Sequence, residues 1–434
     1  MAWPAVLESV FISLAGMIDT LMVSELGPYA VAAVGLTTQP KFIGLAFFLT
    51  ANIAVSALVA RRRGQNKQRE ANEIFLTAFV YTLIMCLLIS VVSVVFAEDF
   101  MRLCGSNSDT HDAASLYFKI IMGGSFFNVL SMVINAAQRG SGNTRVAMVT
   151  NVTSSLVNIL FNYLLITGKH GFPALGMLGA ASATVFGTVV ASILSVISLF
   201  RRSSYLRIRY ILEEKIRPTW LSFTQMIKLT LNFLLENILM RIGFLTTALF
   251  AAKLGTDAFA AHQVGMNVLN LGFSFGDGMQ VAAVALIGRS LGEGQKEKAR
   301  TYGSLCQNIG FLISLALAAI LFFGGRGIYS LFFDEEHIIE MGVTICTWMM
   351  VILLFQVSQI IYSGCLRGAG DARYVLFVAL LSVTIIRTAV TYFGFNVLHL
   401  GLNGVWAGVL ADQVSRFVLN SIRFIRGRWT EIRI

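Results

Sequence analysis

The sequence predicts an all-α membrane protein in which twelve transmembrane helices form two pseudo-symmetric six-helix bundles around a central cleft. Three observations predict this fold. First, the 434 residues are 56% hydrophobic and only 13% charged, with a mean hydropathy of +0.73, whereas soluble domains are roughly 45–50% apolar and 25% charged. Second, the chain consists of successive apolar runs, each near the ~20 residues that cross a bilayer. Third, its two halves repeat one another.

The apolar runs define the predicted helices in order. They lie at 3–24, 38–60, 73–96, 115–137, 146–167, 177–200, 222–251, 260–288, 303–324, 339–364, 374–396 and 402–422. No basic segment precedes the first run, so we interpret it as the first span and not as a signal peptide. The five cysteines are scattered and form no CxxC pair, which argues against a disulfide framework or a zinc site.

The joints between the runs alternate in charge. Basic clusters follow the even-numbered runs, as at 61–69 and 289–300, whereas Glu98 and Asp99 mark an odd-numbered joint. The positive-inside rule then places both termini and every even joint in the cytoplasm, for a multi-pass protein of the cytoplasmic (inner) membrane. Because the basic residues lie in joints and not along one helix face, the net charge of +10 does not indicate a nucleic-acid partner.

An internal duplication divides the chain. Glu8 aligns with Glu236, and the segment 126–145 aligns with 354–373, each at an offset of 228 residues. The longest basic joint, 201–219, lies between the copies. We therefore predict an N-terminal lobe at 1–200, a cytoplasmic linker at 201–219 and a C-terminal lobe at 220–434. Six spans per lobe make this a parallel repeat, an architecture that suits alternating access by two rocking lobes.

Polar residues inside the first lobe suggest a site for an ion. An ionisable side chain in the bilayer costs at least ~2.5–3.5 kcal/mol on insertion scales, so its presence invites a functional explanation. Asp19 lies in the middle of the first run, and Asn158 and Asn162 share one face of the fifth. With Thr184 in the sixth run, these residues predict a site that couples transport to a cation or a proton. Structural hydrogen bonding between helices is the alternative.

The second lobe carries two further sets of polar residues. A second candidate site comprises Glu236, Gln263, Asp277 and Gln356. Asp277 has glycines on both sides, so it could face the cleft or mark a break in the helix. Arg387, Asp412 and Arg416 have mixed charges, and the last two are four residues apart on one helix face, which favours a structural ion pair.

The sequence contains no pattern that indicates an enzyme. It has no Walker loop, HEXXH or GxSxG motif. We therefore expect neither catalytic residues nor a cofactor, and no metal beyond a possible Na+. Without a site for ATP, transport would be driven by a gradient of Na+ or H+ as the coupling ion.

Several long motifs resemble the multidrug and toxic compound extrusion (MATE) family, with mixed NorM-like and DinF-like features. They are DTLMVSELGPYAVAAVGL at 19–36, KLGTDAFAAHQV at 253–264, GKHGFPALGMLGAASAT at 168–184 and the paired turns QRGSGNTR and LRGAGDAR. The resemblance covers essentially the whole chain. It implies two six-helix bundles that export organic cations in exchange for Na+ or H+.

The resemblance also assigns roles to individual residues. The family's first-span acid matches Asp19, its fifth-span polar pair matches Asn158 and Asn162, and its sixth-span threonine matches Thr184. The seventh-span acid of the NorM-like branch matches Glu236. Two positions depart from the family pattern: related branches carry Asp where this chain has Asn162, and the NorM-like branch has Asp at Gln356. These departures favour coupling through Asp19.

The leading hypothesis is a monomeric antiporter that exports amphipathic organic cations across the lipid bilayer. The alternative is a flippase for lipid-linked oligosaccharides, which shares the duplicated architecture. Its anionic cargo would require cationic residues along the cleft, whereas the intramembrane charges are largely acidic, with Arg387 as the main exception. A membrane enzyme or receptor would need a domain outside the bilayer, and the joints are too short for one.

Overall fold

The computed structural model describes residues 2–26, 28–104, 106, 108–201, 204–333 and 335–432, and all regular secondary structure within these ranges is helical. A helix satisfies its backbone hydrogen bonds internally, as a lipid environment requires. The first nine helices are α1 (Ala2–Ser24), α2 (Pro28–Gly64), α3 (Gln68–Val95), α4 (Ala97–Leu103), α5 (Ser108–Gly123), α6 (Ser125–Gly140), α7 (Thr144–Leu165), α8 (Gly176–Phe200) and α9 (Ile208–Glu213).

The remaining helices belong mainly to the second half of the chain. They are α10 (Trp220–Ala252), α11 (Thr256–Gly292), α12 (Lys296–Ser330), α13 (Glu336–Ala369), α14 (Ala372–Ala379), α15 (Arg387–Tyr392) and α16 (Leu402–Arg426). Two π-helical segments, Leu380–Ile386 and Phe393–Val397, flank α15, so that α14, α15 and these segments form one continuous span. Short 3-10 turns lie at Lys169–Gly171 and Arg428–Glu431.

The helices account for all twelve predicted runs, and the prediction of an all-α membrane fold is confirmed. Ten spans in the described ranges are long and apolar enough to cross a membrane, and α5 and α6 form an eleventh that is bent by 45°. The predicted run at 115–137 gave no indication of this bend at Gly124. The twelfth run corresponds to α16, which is less apolar because it carries Asp412, Gln413 and Arg416.

The described chain divides into two compact units, residues 3–230 and 231–434. In the first unit, α1, α2, α5 and α8 pack around a core that includes Phe118, Met122 and Met101. In the second unit, α11, α12, α13 and α16 enclose a core around Trp406, Tyr329 and Met349. Each unit thus buries its own apolar interior.

The predicted linker 201–219 lies against the first unit. The amide group of Gln68 donates to the carbonyl oxygen of Tyr205 at 2.9 Å, and the backbone N–H of Arg207 donates to Asn72 Oδ1 at 3.2 Å. The hydroxyl groups of Thr219 and Ser222 both donate to Glu73 at the start of α3. Side chains of α3 therefore hold the linker at both of its ends.

Candidate functional site

Asp19 lies five residues before the end of α1 and binds a neutral partner. The amide nitrogen of Asn162 on α7 donates a hydrogen bond to Asp19 Oδ1. Asn162 is fully buried, and its own Oδ1 has no hydrogen-bond partner among the described residues. Asn158, one turn earlier on α7, also interacts with the carboxylate. The structure thus brings Asp19 together with both predicted asparagines.

Thr184 extends this group of residues onto α8. Asn158 Nδ2 donates to Thr184 Oγ1 at 3.2 Å, and Thr184 in turn donates to the carbonyl oxygen of Ala180 at 3.1 Å. The helices approach closely here because α8 carries Gly187, where an added Cβ would lie 2.8 Å from the Ser154 carbonyl oxygen and 3.2 Å from Asn158 Cβ. A small residue at this position therefore allows α7 and α8 to present their polar groups to one another.

Two residues of this site were missed by the sequence interpretation. Tyr117 on α5 is buried and interacts with Thr184 and, electrostatically, with Asp19. Lys41 on α2 also interacts electrostatically with Asp19. The sequence placed no cation near Asp19, because Lys41 is 22 residues away along the chain; helix packing brings it close. We call Asp19, Lys41, Tyr117, Asn158, Asn162 and Thr184 the Asp19 cluster.

Each unit contains one ion pair at the same position in the repeat. In the first unit, Arg139 in the last turn of α6 donates to Glu8 Oε1 at 2.6 Å. In the second, Arg367 in the last turn of α13 donates to Glu236 Oε1. Both arginines were assigned to the joints by their position after apolar runs, but the helices extend to include them. The shared offset of the two partners, 236 − 8 = 228 and 367 − 139 = 228, was the signal that could have revealed the pairs.

The predicted second-lobe site is only partly brought together. Arg367 links Glu236 to Gln280, whose Oε1 accepts a hydrogen bond at 2.9 Å, and it interacts electrostatically with Asp277. Gln356 is fully buried and donates to the Leu269 carbonyl oxygen at 3.4 Å. Asp277 and Gln263 are exposed on α11. Glu236 is therefore held by an arginine, and Gln356 bonds to a different part of the unit.

Arg387, Asp412 and Arg416 form a buried cluster in the second unit, as the sequence led us to expect. Arg416 binds Asp412 with two parallel hydrogen bonds of 2.8 Å, and Arg387 Nη1 contacts Asp412 Oδ2 at 3.3 Å. Arg387 also donates from Nε to Thr247 Oγ1 at 2.7 Å and lies over the ring of Phe244. Thr247 is the repeat equivalent of Asp19, since 247 − 19 = 228.

A duplicated assembly of membrane-spanning helices, with buried ionisable clusters and small-residue helix contacts, is the architecture of a secondary transporter. The MatE family model matches residues 4–164 and again 233–393, which together exceed half of the chain. The chain therefore belongs to the MATE family of transporters. The repeated match agrees with the internal duplication seen in the sequence.

Known proteins with similar sequences cover nearly the whole chain. It is 27% identical to the probable multidrug resistance protein NorM of Thermotoga maritima, over 99% of this chain and 92% of the relative. It is 26% identical to the multidrug resistance protein MdtK of Yersinia enterocolitica, over 99% of this chain and 94% of the relative.

A solved structure supports the fold. The outward-facing conformation of a multidrug resistance MATE family transporter of the MOP superfamily superimposes with a TM-score of 0.90, covering 99% of this chain and 95% of that chain at 24% sequence identity. At this level of identity the similarity shows the shared fold.

Proposed function

We propose that this transporter exports amphipathic organic cations in exchange for Na+ or H+, and that the Asp19 cluster binds the coupling ion. The proposal rests on the identity of the hydrogen-bond donor to Asp19. Glu8, Glu236 and Asp412 each accept a hydrogen bond from an arginine, whereas Asp19 accepts one from the amide of Asn162. A carboxylate whose direct partner is an amide can still gain a cation or a proton, whereas a direct ion pair with an arginine already neutralises the other three.

The chemistry of the surrounding groups suits either coupling ion. Asp19 provides carboxylate oxygens. Asn162 Oδ1, which has no partner among the described residues, and the hydroxyl group of Thr184 provide neutral oxygens. Oxygen ligands of this kind bind hard cations, and a carboxylate in a partly buried site can bind a proton.

Occupancy of Asp19 would change the packing of the first unit. A bound cation or proton alters the hydrogen bond from Asn162, which links α1 to α7. Because Asn158 on α7 donates to Thr184 on α8, the change also affects the contact between α7 and α8. A ligand that binds one of two conformations more tightly shifts the population towards it. Coupling then requires that occupancy of Asp19 and export of the substrate favour different conformations.

The relatives favour drug export over the flippase alternative. The relatives NorM and MdtK are both named multidrug resistance proteins. The main cation that the flippase hypothesis needed, Arg387, is buried against Asp412. The same relatives support our proposal that the protein acts in the inner membrane, and the alternating joint charges favour cytoplasmic termini. We also propose that one chain suffices for transport, because the repeat supplies both bundles.

The test is transport of a fluorescent organic cation by proteoliposomes in which a Na+ gradient or a proton gradient is imposed separately. We expect wild-type protein to accumulate the cation under at least one gradient. Asp19→Asn removes the exchangeable charge and keeps a similar shape, so we expect gradient-driven accumulation to be lost. Asp112→Asn makes the same chemical change at an exposed position on α5 and should transport normally.

The size of the imposed gradients matters in this test. A membrane potential of 100 mV contributes about 2.3 kcal/mol for each net charge moved, so one-for-one exchange of monovalent cations is electroneutral and depends only on the ion gradient. If Asp19→Asn accumulates the cation as well as wild type, the assignment of the coupling site is wrong. If neither gradient drives wild-type protein, antiport itself is wrong.

A further inference from the structure

The buried cluster of the second unit carries an excess positive charge. Two guanidinium groups, those of Arg387 and Arg416, share the single carboxylate of Asp412. All three side chains are nearly inaccessible, with Asp412 0%, Arg387 1% and Arg416 5% exposed. Arginine does not lose its proton in proteins, so the cluster has a net charge of +1.

The hydrogen bonds show which guanidinium group is left without a full partner. Arg416 occupies both oxygens of Asp412 in a bidentate pair, which is the strong geometry for arginine and a carboxylate. Arg387 makes only one longer contact to the same carboxylate, and its Nη2 has no hydrogen-bond partner among the described residues. An unpaired buried charge is costly unless another group compensates it.

Further buried polar atoms without partners lie on the helix of Arg387 and on two other helices of the same unit. Thr391 lies one helical turn after it on α15, and its buried hydroxyl group is unpartnered in the described part of the chain, as are Trp406 Nε1 and His262 Nδ1. His262 lies edge-on against the Trp406 ring, with centroids 5.4 Å apart, and interacts electrostatically with Arg387. Threonine and tryptophan can donate hydrogen bonds, and histidine can do so from one ring nitrogen.

The backbone around Arg387 is also unusual. Arg387 is the first residue of α15, between two π-helical segments, and π-helical turns occur frequently at functional sites. At Gly408 on α16, an added Cβ would collide with the Thr391 hydroxyl group and lie 3.0 Å from the Arg387 carbonyl oxygen. Close helix packing therefore fixes Arg387 and Thr391 against α16, the helix that also carries Trp406.

We propose that this cluster binds one small monovalent anion, with chloride as the representative ion. Arg387 Nη2 provides the charge-assisted hydrogen bond, and the hydroxyl group of Thr391, one helical turn away, supplies a neutral donor. The anion neutralises the cluster and stabilises the second unit. The proposal does not depend on which cation the transporter exports or on the role of Asp19.

The test measures thermal unfolding of the purified full-length protein by its tryptophan fluorescence, at constant sodium concentration and ionic strength. Chloride or bromide is exchanged for gluconate, which is too large for a buried site. We expect the Tm of wild-type protein to rise with halide concentration and then saturate. Equilibrium dialysis with radiolabelled chloride should give a stoichiometry of about one ion per chain, since the cluster has one uncompensated charge.

Arg387→Gln is the decisive variant. It leaves a balanced pair of Arg416 and Asp412, so it should fold, lose the halide dependence and be at least as stable in gluconate as wild-type protein. A merely structural role of Arg387 predicts the opposite in gluconate, because losing its contacts would lower the Tm. Arg326→Gln removes an exposed arginine of the same unit, which pairs with Glu336, and should keep the full halide response.

Thr391→Val tests the neighbouring donor without changing charge. It should raise the half-saturating chloride concentration by roughly threefold to tenfold, as expected for loss of one hydrogen bond. An equal Tm of wild-type protein in halide and gluconate would overturn the proposal, as would a halide response that persists in Arg387→Gln.

Discussion

The two units place different polar groups at equivalent positions of the duplicated sequence. In the first, α1 carries Asp19, which binds the amide of Asn162. In the second, α10 carries Thr247 at the equivalent position, and it accepts a hydrogen bond from the guanidinium group of Arg387. A copy of the same helix thus contributes a carboxylate to the Asp19 cluster in one unit and a hydroxyl group that accepts a hydrogen bond from an arginine in the other.

Other features of the duplication are alike in both units. The pairs of Glu8 with Arg139 and of Glu236 with Arg367 keep the same residue types, spacing and helix connections. Each joins the first helix of its unit to the helix that ends at the RG motif. We infer that the ion pairs preserved in both copies hold the fold together, and that the positions where the copies differ, Asp19 and Arg387, carry the separate functions of the two units.

The largest expected difference concerns stability when one acid in each unit is neutralised. Asp412→Asn would leave two buried arginines without a carboxylate, and breaking a buried pair in this way typically costs about 3–5 kcal/mol. Asp19→Asn should cost less, because its hydrogen-bond partner is a neutral amide that can bond to the new side chain and Lys41 is not in direct contact with it. We expect Asp412→Asn to abolish recovery of folded protein and Asp19→Asn to keep a nearly wild-type Tm.

The measurement is the yield of monodisperse protein by size-exclusion chromatography, together with the Tm of whatever is recovered. Equal losses in the two variants would show that the two acids have the same structural role, and our contrast between the units would fail. Neutralising Asp412 and Arg387 together should restore part of the stability, since only the Arg416 charge then remains unpaired.

The two ion pairs that recur in both units should differ in strength. Glu236→Gln and Glu8→Gln should both destabilise the protein, and Glu236→Gln should do so more, by up to about 3 kcal/mol. The reason is that the Arg367 side chain is 8% exposed and that of Arg139 is 18% exposed, so water can reach Arg139 more easily once its partner is lost. The double variant Glu236→Gln/Arg367→Gln should recover most of the lost Tm.

Transport separates this structural role from ion binding. If Glu236 acts mainly through Arg367, the Glu236→Gln/Arg367→Gln protein should keep the ion dependence of wild-type transport. Loss of sodium dependence in this well-folded double variant would instead assign an ion site to Glu236 in the second unit.

A smaller effect is expected from the contact of α7 with α8. Gly187→Ala introduces a Cβ 2.8 Å from the Ser154 carbonyl oxygen, so the helices must separate, at a cost of about 1–3 kcal/mol. Because Asn158 lies on the same face, transport should fall together with the Tm. Gly35→Ala on α2 meets nothing within 4 Å and should leave both unchanged. A fully active Gly187→Ala protein would show that Asn158 and Thr184 need not touch.

Much of this architecture could be predicted from local sequence because membrane helices are encoded in continuous apolar runs. The joints and the 228-residue repeat likewise need no knowledge of packing. The bend at Gly124 and the π-helical segments beside Arg387 could not be predicted. They depend on how side chains of neighbouring helices fit together, for example at Gly243, where an added Cβ would collide with Val383.

The candidate sites show the same limit. Asp19, Asn158, Asn162 and Thr184 stood out because each is polar within an apolar run, and the structure brings them together. Arg367 was assigned to a joint, so the acid Glu236 seemed unpaired and suitable for an ion. A polar residue can be found from its place in a run, whereas its partner on another helix depends on the tertiary fold.

The smallest predicted effect tests the cation that the sequence interpretation missed. Lys41 contributes positive potential at Asp19, which weakens the attraction of the carboxylate for any other cation. Lys41→Gln should therefore lower the half-saturating concentration of the coupling ion, by roughly fivefold or about 1 kcal/mol, as expected for two charges that are not in direct contact. Lys67→Gln, on an exposed joint where Lys67 pairs with Glu70, is the matched control and should not change it. The concentration dependence of cation export in proteoliposomes gives the measurement.

A higher half-saturating concentration in Lys41→Gln would mean that Lys41 helps to hold the ion site in shape. In that case the first unit, like the second, would depend on a buried basic residue, and the difference between the two units would be smaller than their different polar groups suggest.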